Sequence, residues 1–433
     1  MQKISVDFSK TIGKIKPMHA VGQPPFVGID FSMCDYLKDA HIPYSRLHDV
    51  GGAFGGGLFV DIPNLFRDFS ADPTDPKSYD FAFTDLLITA LVERGIEPFF
   101  RLGVSIENYR KIKAYRIDPP KDYIKWAQIC EGVIAHYTQG WASGFHYKIT
   151  YWEIWNEPDN YEDPQENQMW SGTPEDYYRL YEVASKFLKE KFPHLKIGGY
   201  ASCGFYAITQ SKTEYGACSP RDQYFIDFFD GFLKYIKEKD CPLDFFSWHS
   251  YSSVESNVIW SEYARKKLDE YGYTNTEHTL NEWNCRPDLI GTVKHAALTS
   301  AMMLALQNTS LYSAMFYDAR CGMGIYSGMF DCKSCKPLPA YYSFVAFGEL
   351  YQRGEQAYVG ELPNGMYACA SKGQDACLVI TNLNEEDMHV SFNLSGVSNI
   401  TECKIIKDGA VWVDYKLENT VPAESVVFIR LDL

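Results

Sequence analysis

Four features that the 433-residue sequence lacks narrow the class of protein to which it can belong. Basic residues are in the minority: 41 Lys and Arg against 56 Asp and Glu give a formal charge of −15 at pH 7. Nucleic acids and anionic membranes bind basic surfaces, so we expect neither as a partner. The longest apolar stretch, residues 296–306, is interrupted by Thr299 and Ser300. It is shorter than the roughly 20 residues that a membrane span needs, so no transmembrane helix is expected.

Signals for export and for disulfide cross-linking are also missing. The stretch MQKISVDFSK has neither the apolar core nor the cleavage site of a secretory signal, which predicts a cytoplasmic protein. The 12 cysteines have irregular spacings, typical of thiols in a reducing compartment. Cys332 and Cys335 form a CxxC pair that could make half of a zinc site with Cys321. No second CxxC or nearby pair of histidines accompanies them, so we expect free thiols and no metal.

Aromatic residues, in contrast, are plentiful: 31 Tyr, 27 Phe and 9 Trp make up 15% of the chain. Aromatic rings pack against the C–H faces of sugars, but they also fill protein cores, so composition does not separate the two uses. The 46% hydrophobic and 22% charged residues predict a globular chain with a substantial core. Disordered and low-complexity classes are thereby excluded.

Between residues 17 and 319, short apolar runs alternate with longer amphipathic segments, which is typical of parallel strands linked by helices. Strands are predicted at 19–22, 44–48, 98–102, 151–156, 196–200, 245–249, 278–282 and 312–317. Eight units over about 300 residues match a (β/α)8 TIM barrel, whose active site lies at the carboxyl ends of the strands. The glycine-rich stretch 51–57 lacks both GK[ST] and GxGxxG, so we interpret it as a loop over the barrel mouth that shapes a substrate pocket.

After a predicted helix at 339–351, the pattern changes to alternating strands with turn signals. These strands are predicted at 376–381, 388–393, 401–407, 411–415 and 425–431, and the segment 4–15 is expected to add another. We therefore predict an α/β protein. Its catalytic barrel would span residues 16–350, and residues 1–15 and 351–433 would form an antiparallel β-sandwich.

Two glutamates fall at matching strand ends of the predicted barrel. Glu157 follows the fourth strand in YWEIWNEPD, where Pro158 ends regular pairing, and Glu282 ends the seventh strand in HTLNEWN. Glycoside cleavage needs such a pair: one carboxyl protonates the leaving oxygen and the other faces the anomeric carbon. As a structural alternative, Glu157 would cap a helix and Glu282 would form an ion pair. The matched positions, each preceded by Asn, favour the catalytic interpretation.

These residues resemble clan A of the glycoside hydrolases, which are retaining (β/α)8 enzymes. The similarity is greatest to glycoside hydrolase family 39, which includes β-xylosidases and α-L-iduronidases. It spans the whole chain and is strongest at the fourth strand. The motifs that carry it are Arg46-Leu47-His48 on the second strand, WEIWNEPD on the fourth, Trp248-His249-Ser250-Tyr251 on the sixth and Glu282 on the seventh.

The resemblance implies that Glu157 is the general acid/base, that Glu282 is the nucleophile and that Asn156 binds the 2-hydroxyl of the sugar. A proton donor needs a raised pKa, which burial beside Trp152 and Trp155 would supply. A nucleophile must instead stay ionised, which nearby hydrogen-bond donors favour.

Further substrate-binding candidates lie at other strand ends. Arg46, His249 and Tyr251 are candidate donors to the nucleophile, and His48 is a further candidate ligand. Arg46 could equally form a structural ion pair with Glu153 inside the barrel.

Aromatic walls and a second group of charges complete the predicted site. Trp283 is expected to be a wall for a sugar ring, and Trp155 and Phe100 could serve the same purpose or belong to the core. Asp318 and Arg320 could contact a substrate or only hold a loop.

The sequence thus predicts a retaining glycoside hydrolase that removes a terminal β-xylose or related sugar from an oligosaccharide or glycoside by double displacement. No metal or organic cofactor is expected, because two carboxyl groups suffice. An arabinofuranosidase, galactosidase or uronidase with the same carboxylates is the alternative among enzymes. A uronidase would need a cation for the sugar carboxylate, for which Arg286 and Arg320 are the candidates. A non-catalytic glycan-binding barrel is the alternative outside enzymes.

Overall fold

The computed structural model describes residues 2–25, 33–50, 58–106, 117–209, 219–321 and 326–433, so the glycine-rich stretch 51–57 lies outside the described residues. The strands in chain order are β1 (Gln2–Lys14), β2 (Ala20–Gly22), β3 (Tyr44–Leu47), β4 (Glu97–Leu102), β5 (Tyr151–Ile154), β6 (Lys196–Ser202), β7 (Phe245–Ser250), β8 (Glu277–Trp283), β9 (Ser313–Phe316), β10 (Glu355–Val359), β11 (Met366–Lys372), β12 (Ala376–Asn382), β13 (Met388–Ser395), β14 (Ile400–Lys407), β15 (Ala410–Asp414), β16 (Thr420–Val421) and β17 (Ser425–Leu431). The helices are α1 (Cys34–Asp39), α2 (Ile62–Leu65), α3 (Ala82–Val92), α4 (Tyr123–Gln139), α5 (Pro174–Lys191), α6 (Tyr206–Thr209), α7 (Pro220–Glu238), α8 (Val254–Glu270), α9 (Val293–Leu306) and α10 (Pro339–Arg353).

Strands β2 to β9 form a closed barrel in which neighbours are parallel and β9 pairs with β2. The strands are short and almost wholly buried, because helices cover the outside and side chains fill the inside. The predicted (β/α)8 barrel is confirmed. In the part of the chain that the structure describes, no helix has the length and apolarity to cross a membrane.

Five of the longer helices, α4, α5, α7, α8 and α9, begin at residues whose side chains accept a hydrogen bond from a free backbone N–H group. At α5, the Thr173 hydroxyl accepts a hydrogen bond from the Asp176 N–H, and the Asp176 carboxylate accepts one from the Thr173 N–H. Ser219 and Asp222 form the same reciprocal pair at the start of α7. Such a capping box fixes where a helix begins, and it therefore fixes the position of the residues in the first turn.

The second part of the molecule is a nine-stranded sheet in the order β15-β14-β17-β12-β11-β10-β1-β13-β16. Strand β1 lies between β10 and β13, antiparallel to the first and parallel to the second, so the sheet is mixed. One face packs on barrel helices, where the Thr381 hydroxyl donates to the Ser300 hydroxyl over 2.7 Å. The other face carries an apolar core of its own. The predicted β module is present, and the domain boundaries at 15/16 and 350/351 stay a prediction.

The two ends of the barrel interior differ in character. Near the amino ends of the strands, the side chains of Phe99, Tyr151 and Phe245 form an apolar cluster. Towards the carboxyl ends, the interior contains Arg46 and Glu153, which are no more than 1% exposed. The polar end is therefore the one to examine for chemistry.

Candidate active site

A pocket of about 440 Å³ opens at the carboxyl ends of the barrel strands, and both Glu157 and Glu282 line it. One carboxylate oxygen of each glutamate and a ring nitrogen of His249 lie within 4.8 Å of one another. Glu157 is the third residue after the end of β5 and Glu282 is near the end of β8, so two segments far apart in sequence meet at one cavity. The acidic side chains are close enough to act on one bond.

Glu157 is held by its backbone and by two hydrogen bonds to its side chain. Its φ of 45° is in the left-handed region, and its N–H donates to the Ala201 carbonyl over 3.0 Å. Its carboxylate accepts hydrogen bonds from His249 Nδ1 at 2.8 Å and from Asn160 Nδ2 at 2.9 Å. A left-handed conformation is unfavourable for a side chain this large and is typical of functional sites.

Glu282 has a different set of partners. Its Oε2 accepts from Arg46 Nη1 at 3.2 Å, and its Oε1 accepts a short hydrogen bond from the Tyr251 hydroxyl. Burial raises the pKa of Glu282 to about 7; the charge of Glu157 adds to this effect, and His249 and Arg46 oppose it. The carboxyl group is therefore oriented from two sides and carries its proton up to near-neutral pH.

Arg46 serves both of the purposes that the sequence left open. It is buried in the barrel, and its Nη2 lies 2.7 Å from Glu153 Oε2 in an ion pair. The same guanidinium donates to Glu282 and, over 2.5 Å, to the Asn156 side-chain oxygen. Glu153 is further fixed by Ser247, whose hydroxyl donates to it. The Arg46 guanidinium, which donates to Glu282, is thus held in place by a buried ion pair with Glu153.

His249 lies between the two glutamates. Its Nδ1 is 2.8 Å from Glu157 Oε1, and its Nε2 is 3.5 Å from Glu282 Oε2. Burial would lower the pKa of His249, but the facing charges of Glu282 and Glu157 raise it above the ordinary value. Burial would likewise raise the pKa of Glu157, but the hydrogen bond and charge of His249, followed by the charge of Arg221, lower it.

These directions differ from the sequence expectation, which gave Glu157 the raised pKa. The physical reason is that Trp152 and Trp155 do not surround its carboxyl group. Trp152 packs against Phe100, and the Trp155 indole donates to the Met169 carbonyl. The nearest partner of Glu157 is instead the ring of His249, which favours the ionised carboxylate.

Two other predicted ligands lie at the same end of the barrel. His48 lines the pocket, and its Nε2 is 3.5 Å from Asp49 Oδ1. Burial is the largest cause that holds the pKa of His48 well below its ordinary value, so the ring is neutral at pH 7. Asn156 is 1% exposed, and its side-chain oxygen is occupied by Arg46.

The aromatic residues predicted to form walls of the sugar site, Trp283, Trp155 and Phe100, are not among the described residues that line the pocket. Trp283 is fully buried and packs edge-on against Phe316, and it is not among the described residues that line the pocket. Glu282 points into the barrel, and successive side chains of a strand point to opposite faces, so Trp283 points outward. Phe100 and Trp155 are also buried in the core.

Aromatic rings do line the pocket, but they are different ones. Tyr251, Tyr317 and Tyr326 belong to its lining, and the Tyr251 and Tyr326 ring centroids are 4.5 Å apart. The Tyr317 hydroxyl donates to Asp49 over 3.0 Å. Sequence reasoning missed Tyr317 and Tyr326 as well as Asp49, although Tyr317 ends the predicted eighth strand and could have been found from that position.

The other charged candidates have local partners. Asp318 is buried and accepts hydrogen bonds from the Arg320 backbone and guanidinium, which holds the loop after β9. Arg286 forms an exposed ion pair with Asp288.

Only one group of three metal-binding side chains occurs within the described residues: Glu157, His249 and Glu282. The Arg46 guanidinium occupies one side of this group, so a cation already neutralises part of its charge. The thiols of Cys321 and Cys335 are 3.3 Å apart, and no His or carboxylate in the described ranges joins them as a third ligand.

Comparison with known families identifies the barrel. The family model described as "Glycosyl hydrolases family 39" matches residues 3–277, which is well over half of the chain. The chain belongs to glycosyl hydrolases family 39. The matched span includes Glu157 and ends before Glu282, so the second glutamate is placed in the site by the structure rather than by the match.

Curated relatives of this family 39 chain include two β-xylosidases. One, from Geobacillus stearothermophilus, is 27% identical over 223 residues, which are 50% of this chain and 39% of that protein. The other, from Caldicellulosiruptor saccharolyticus, is 26% identical over 312 residues, which are 66% of this chain and 56% of that protein. The aligned parts thus span about half or less of each relative.

Solved structures agree with the fold along the whole chain. A glucosidase from Croceicoccus marinus has a TM-score of 0.81 at 21% identity, covering 100% of this chain and 99% of that one. A monomeric β-xylosidase from Caulobacter crescentus CB15 has a TM-score of 0.67 at 14% identity, with coverage of 100% and 99%. At these identities the likeness shows the fold alone.

Proposed function

We propose that the chain is a retaining glycoside hydrolase that cleaves a terminal β-xylosyl residue from a glycoside. The observation that carries the proposal is the approach of the Glu157 and Glu282 carboxylate oxygens to within 4.8 Å across the pocket. Carboxyl groups about 5–5.5 Å apart are typical of retaining enzymes, whereas inverting enzymes keep about 6.5–9.5 Å for a water molecule. The close approach favours direct attack by one carboxylate.

Glu282 is the proposed nucleophile. Arg46 and Tyr251 donate to different oxygens of its carboxylate, which fixes its orientation and stabilises its charge. Attack on the anomeric carbon forms a glycosyl ester and breaks the bond to the leaving oxygen, and water then hydrolyses the ester. Because the pKa of Glu282 is about 7, the reactive carboxylate forms as the pH rises through neutrality.

Glu157 is the proposed acid/base, and His249 would store the proton that it donates. In this proposal the proton lies on the imidazole in the free site, because the charges of Glu282 and Glu157 raise the pKa of His249 and its Nδ1 is 2.8 Å from Glu157 Oε1. Transfer along this hydrogen bond gives a neutral ring and a protonated carboxyl group with no change in net charge. The protonated Glu157 would donate to the leaving oxygen in the first step and, as a carboxylate, take a proton from water in the second.

The proposed sugar site lies between Glu282 and the opposite wall. Arg46 donates a hydrogen bond to the side-chain oxygen of Asn156, which fixes the direction of the Asn156 NH2 group. This NH2 group is the proposed donor to the 2-hydroxyl of the sugar. The neutral His48 and the pocket-lining Tyr251 are proposed ligands of other sugar hydroxyls. The xylosyl preference is supported by the two β-xylosidase relatives.

The test measures the rate of hydrolysis of each member of a panel of 4-nitrophenyl glycosides. Proton NMR then identifies which anomer of the released sugar forms first. We expect the β-xyloside to be cleaved fastest and β-xylose to appear before mutarotation. First appearance of the α anomer would contradict retention. Faster cleavage of an arabinofuranoside, galactoside or uronide would reassign the sugar, and no cleavage of any member would favour a glycan-binding barrel.

The nucleophile is tested by Glu282→Ala, with exposed Glu238→Ala on α7 as control. We expect a loss of at least about 10⁴-fold in kcat, because the covalent step is removed. Azide entering the vacated space should restore part of the rate and give an α-glycosyl azide. Turnover at the level of the control would contradict the assignment.

A further inference from the structure

Arg221 lies in the pocket on the side of Glu157 and takes no part in the chemistry proposed above. It is in the first turn of α7, where the capping box of Ser219 and Asp222 fixes its backbone. Its Nε donates to the Asn160 carbonyl over 2.6 Å. The same Asn160 donates its Nδ2–H to Glu157, so one residue contacts both the proposed acid and this cation.

The guanidinium is held rigidly by two aromatic rings. Its central carbon is 4.5 Å from the Tyr161 ring centroid and 4.8 Å from that of Phe225. Stacking on rings suits the planar Arg side chain and removes much of its conformational freedom. Binding an anion would therefore require little further ordering of Arg221.

The outer nitrogens of Arg221 have no carboxylate partner in the described part of the chain. No ion pair within 4.0 Å joins them to a described carboxylate. The adjacent Asp222 is engaged by Ser219 at the helix start, and Glu157 is engaged by His249. Of the Arg221 nitrogens, only Nε has a hydrogen-bond partner among the described residues, so the Nη1 and Nη2 groups can bind an anion from the pocket.

We propose that Arg221 is a specificity-determining residue that favours leaving groups carrying a carboxylate, such as an acidic sugar or an aromatic acid. This inference rests on the proposed function, in which Glu157 protonates the leaving oxygen. Because Arg221 is next to Glu157, whereas Glu282 is held by Arg46 and Tyr251, the cation faces the leaving group. A guanidinium presents two parallel N–H donors, which match the two oxygens of one carboxylate.

The test compares two β-xylosides whose leaving groups have nearly the same shape but a different charge: one is 4-carboxyphenyl and the other 4-carbamoylphenyl. For the wild type we expect kcat/KM to be about three- to tenfold higher for the carboxylate, the size of a partly exposed charge pair. The ratio should fall to about one in Arg221→Gln, keep an intermediate value in Arg221→Lys and stay at the wild-type value in Arg179→Gln, an exposed residue of α5.

The ratio separates recognition from acid catalysis, because any effect of Arg221 on the pKa of Glu157 changes both rates together. A wild-type ratio of one or less, or an undiminished ratio in Arg221→Gln, would overturn the inference and leave the proposed function intact. Cleavage of neither glycoside would overturn both. If Arg221→Gln does not fold, added salt gives a second test: the wild-type ratio should fall as ionic strength rises, and a constant ratio would overturn the proposal.

Discussion

The two ends of the barrel interior differ in how burial affects the stability of the fold. At the amino-terminal end, the rings of Phe99 and Tyr151 stack with centroids 5.1 Å apart, and Phe245 meets both edge-on. At the carboxyl-terminal end, the interior holds the ion pair of Arg46 and Glu153. Removing rings from water stabilises the fold, whereas removing charges from water costs free energy that their mutual attraction only partly offsets.

The comparison teaches that the charged end is kept for chemistry at some cost in stability. Substitutions at this end should change catalysis more than folding, and substitutions at the aromatic end should do the reverse. Four experiments test whether substitutions at the two ends differ in this way.

The largest effect is expected from Glu157→Ala at the charged end. Glycosides with poor leaving groups should lose about 10⁴-fold in kcat/KM, because they need a proton in the transition state. A 2,4-dinitrophenyl glycoside should lose far less, because its leaving group departs without protonation. Glu162→Ala, an exposed residue of the same loop, is the control. Equal losses with both kinds of leaving group would contradict the acid role.

At the aromatic end, Phe99→Ala should lower the free energy of unfolding by about 3–5 kcal/mol, through lost burial and the cavity left behind. The KM of the folded variant should not change, because Phe99 is remote from the pocket lining. Phe83→Ala on α3, where the ring is 43% exposed, should cost within about 0.5 kcal/mol. Chemical denaturation measures both, and similar losses would remove the distinction between core and surface.

Glu282→Gln tests the stability cost of the charged end directly. Folding raises the pKa of Glu282 from 4.5 to about 7, so the folded wild type binds a proton that the unfolded chain releases. Its free energy of unfolding should fall as the pH rises from 4.5 to 7, by up to about 3 kcal/mol. The Gln variant lacks this fall and should be more stable than the wild type at pH 8 but not at pH 5. Parallel pH profiles from denaturant titration would contradict this cost.

The smallest effect is expected from Tyr251→Phe, which removes one hydrogen bond to Glu282. We expect about a tenfold loss in kcat/KM, the size of one hydrogen bond to a charged group. That hydrogen bond lowers the pKa of Glu282, so its loss should move the acidic limb of the pH–rate profile to higher pH. Tyr358→Phe, in the β module, is the control. An unshifted acidic limb would show that the hydroxyl does not stabilise the carboxylate.

The barrel could be predicted from the sequence because most of its strands are short apolar runs that end in polar residues. The position of Glu157 and Glu282 followed from the same pattern, since parallel strands end at one face of a barrel. The direction of the Trp283 side chain could also have been predicted from the sequence. Trp283 follows an inward-pointing Glu282 on the same strand, so its side chain must point outward.

Other features depend on tertiary packing and could not be predicted. Arg221 reaches the pocket only through the path of the chain into α7, and no local pattern in the sequence marks it. The pKa of Glu157 is set by His249, a residue 92 positions away whose ring orientation is fixed by the fold. Strands β10 and β11 were missed because the alternation in 355–372 is interrupted.

Strand β1 has a consequence for the order of events during protein synthesis. Its residue Val6 pairs with Val359 on one side and with Leu394 on the other. Neither neighbour exists until the ribosome has made most of the polypeptide, which takes about 20 to 80 s at 5–20 residues per second. During that interval both edges of β1 lack their native partners, so the mixed sheet can close only late in synthesis.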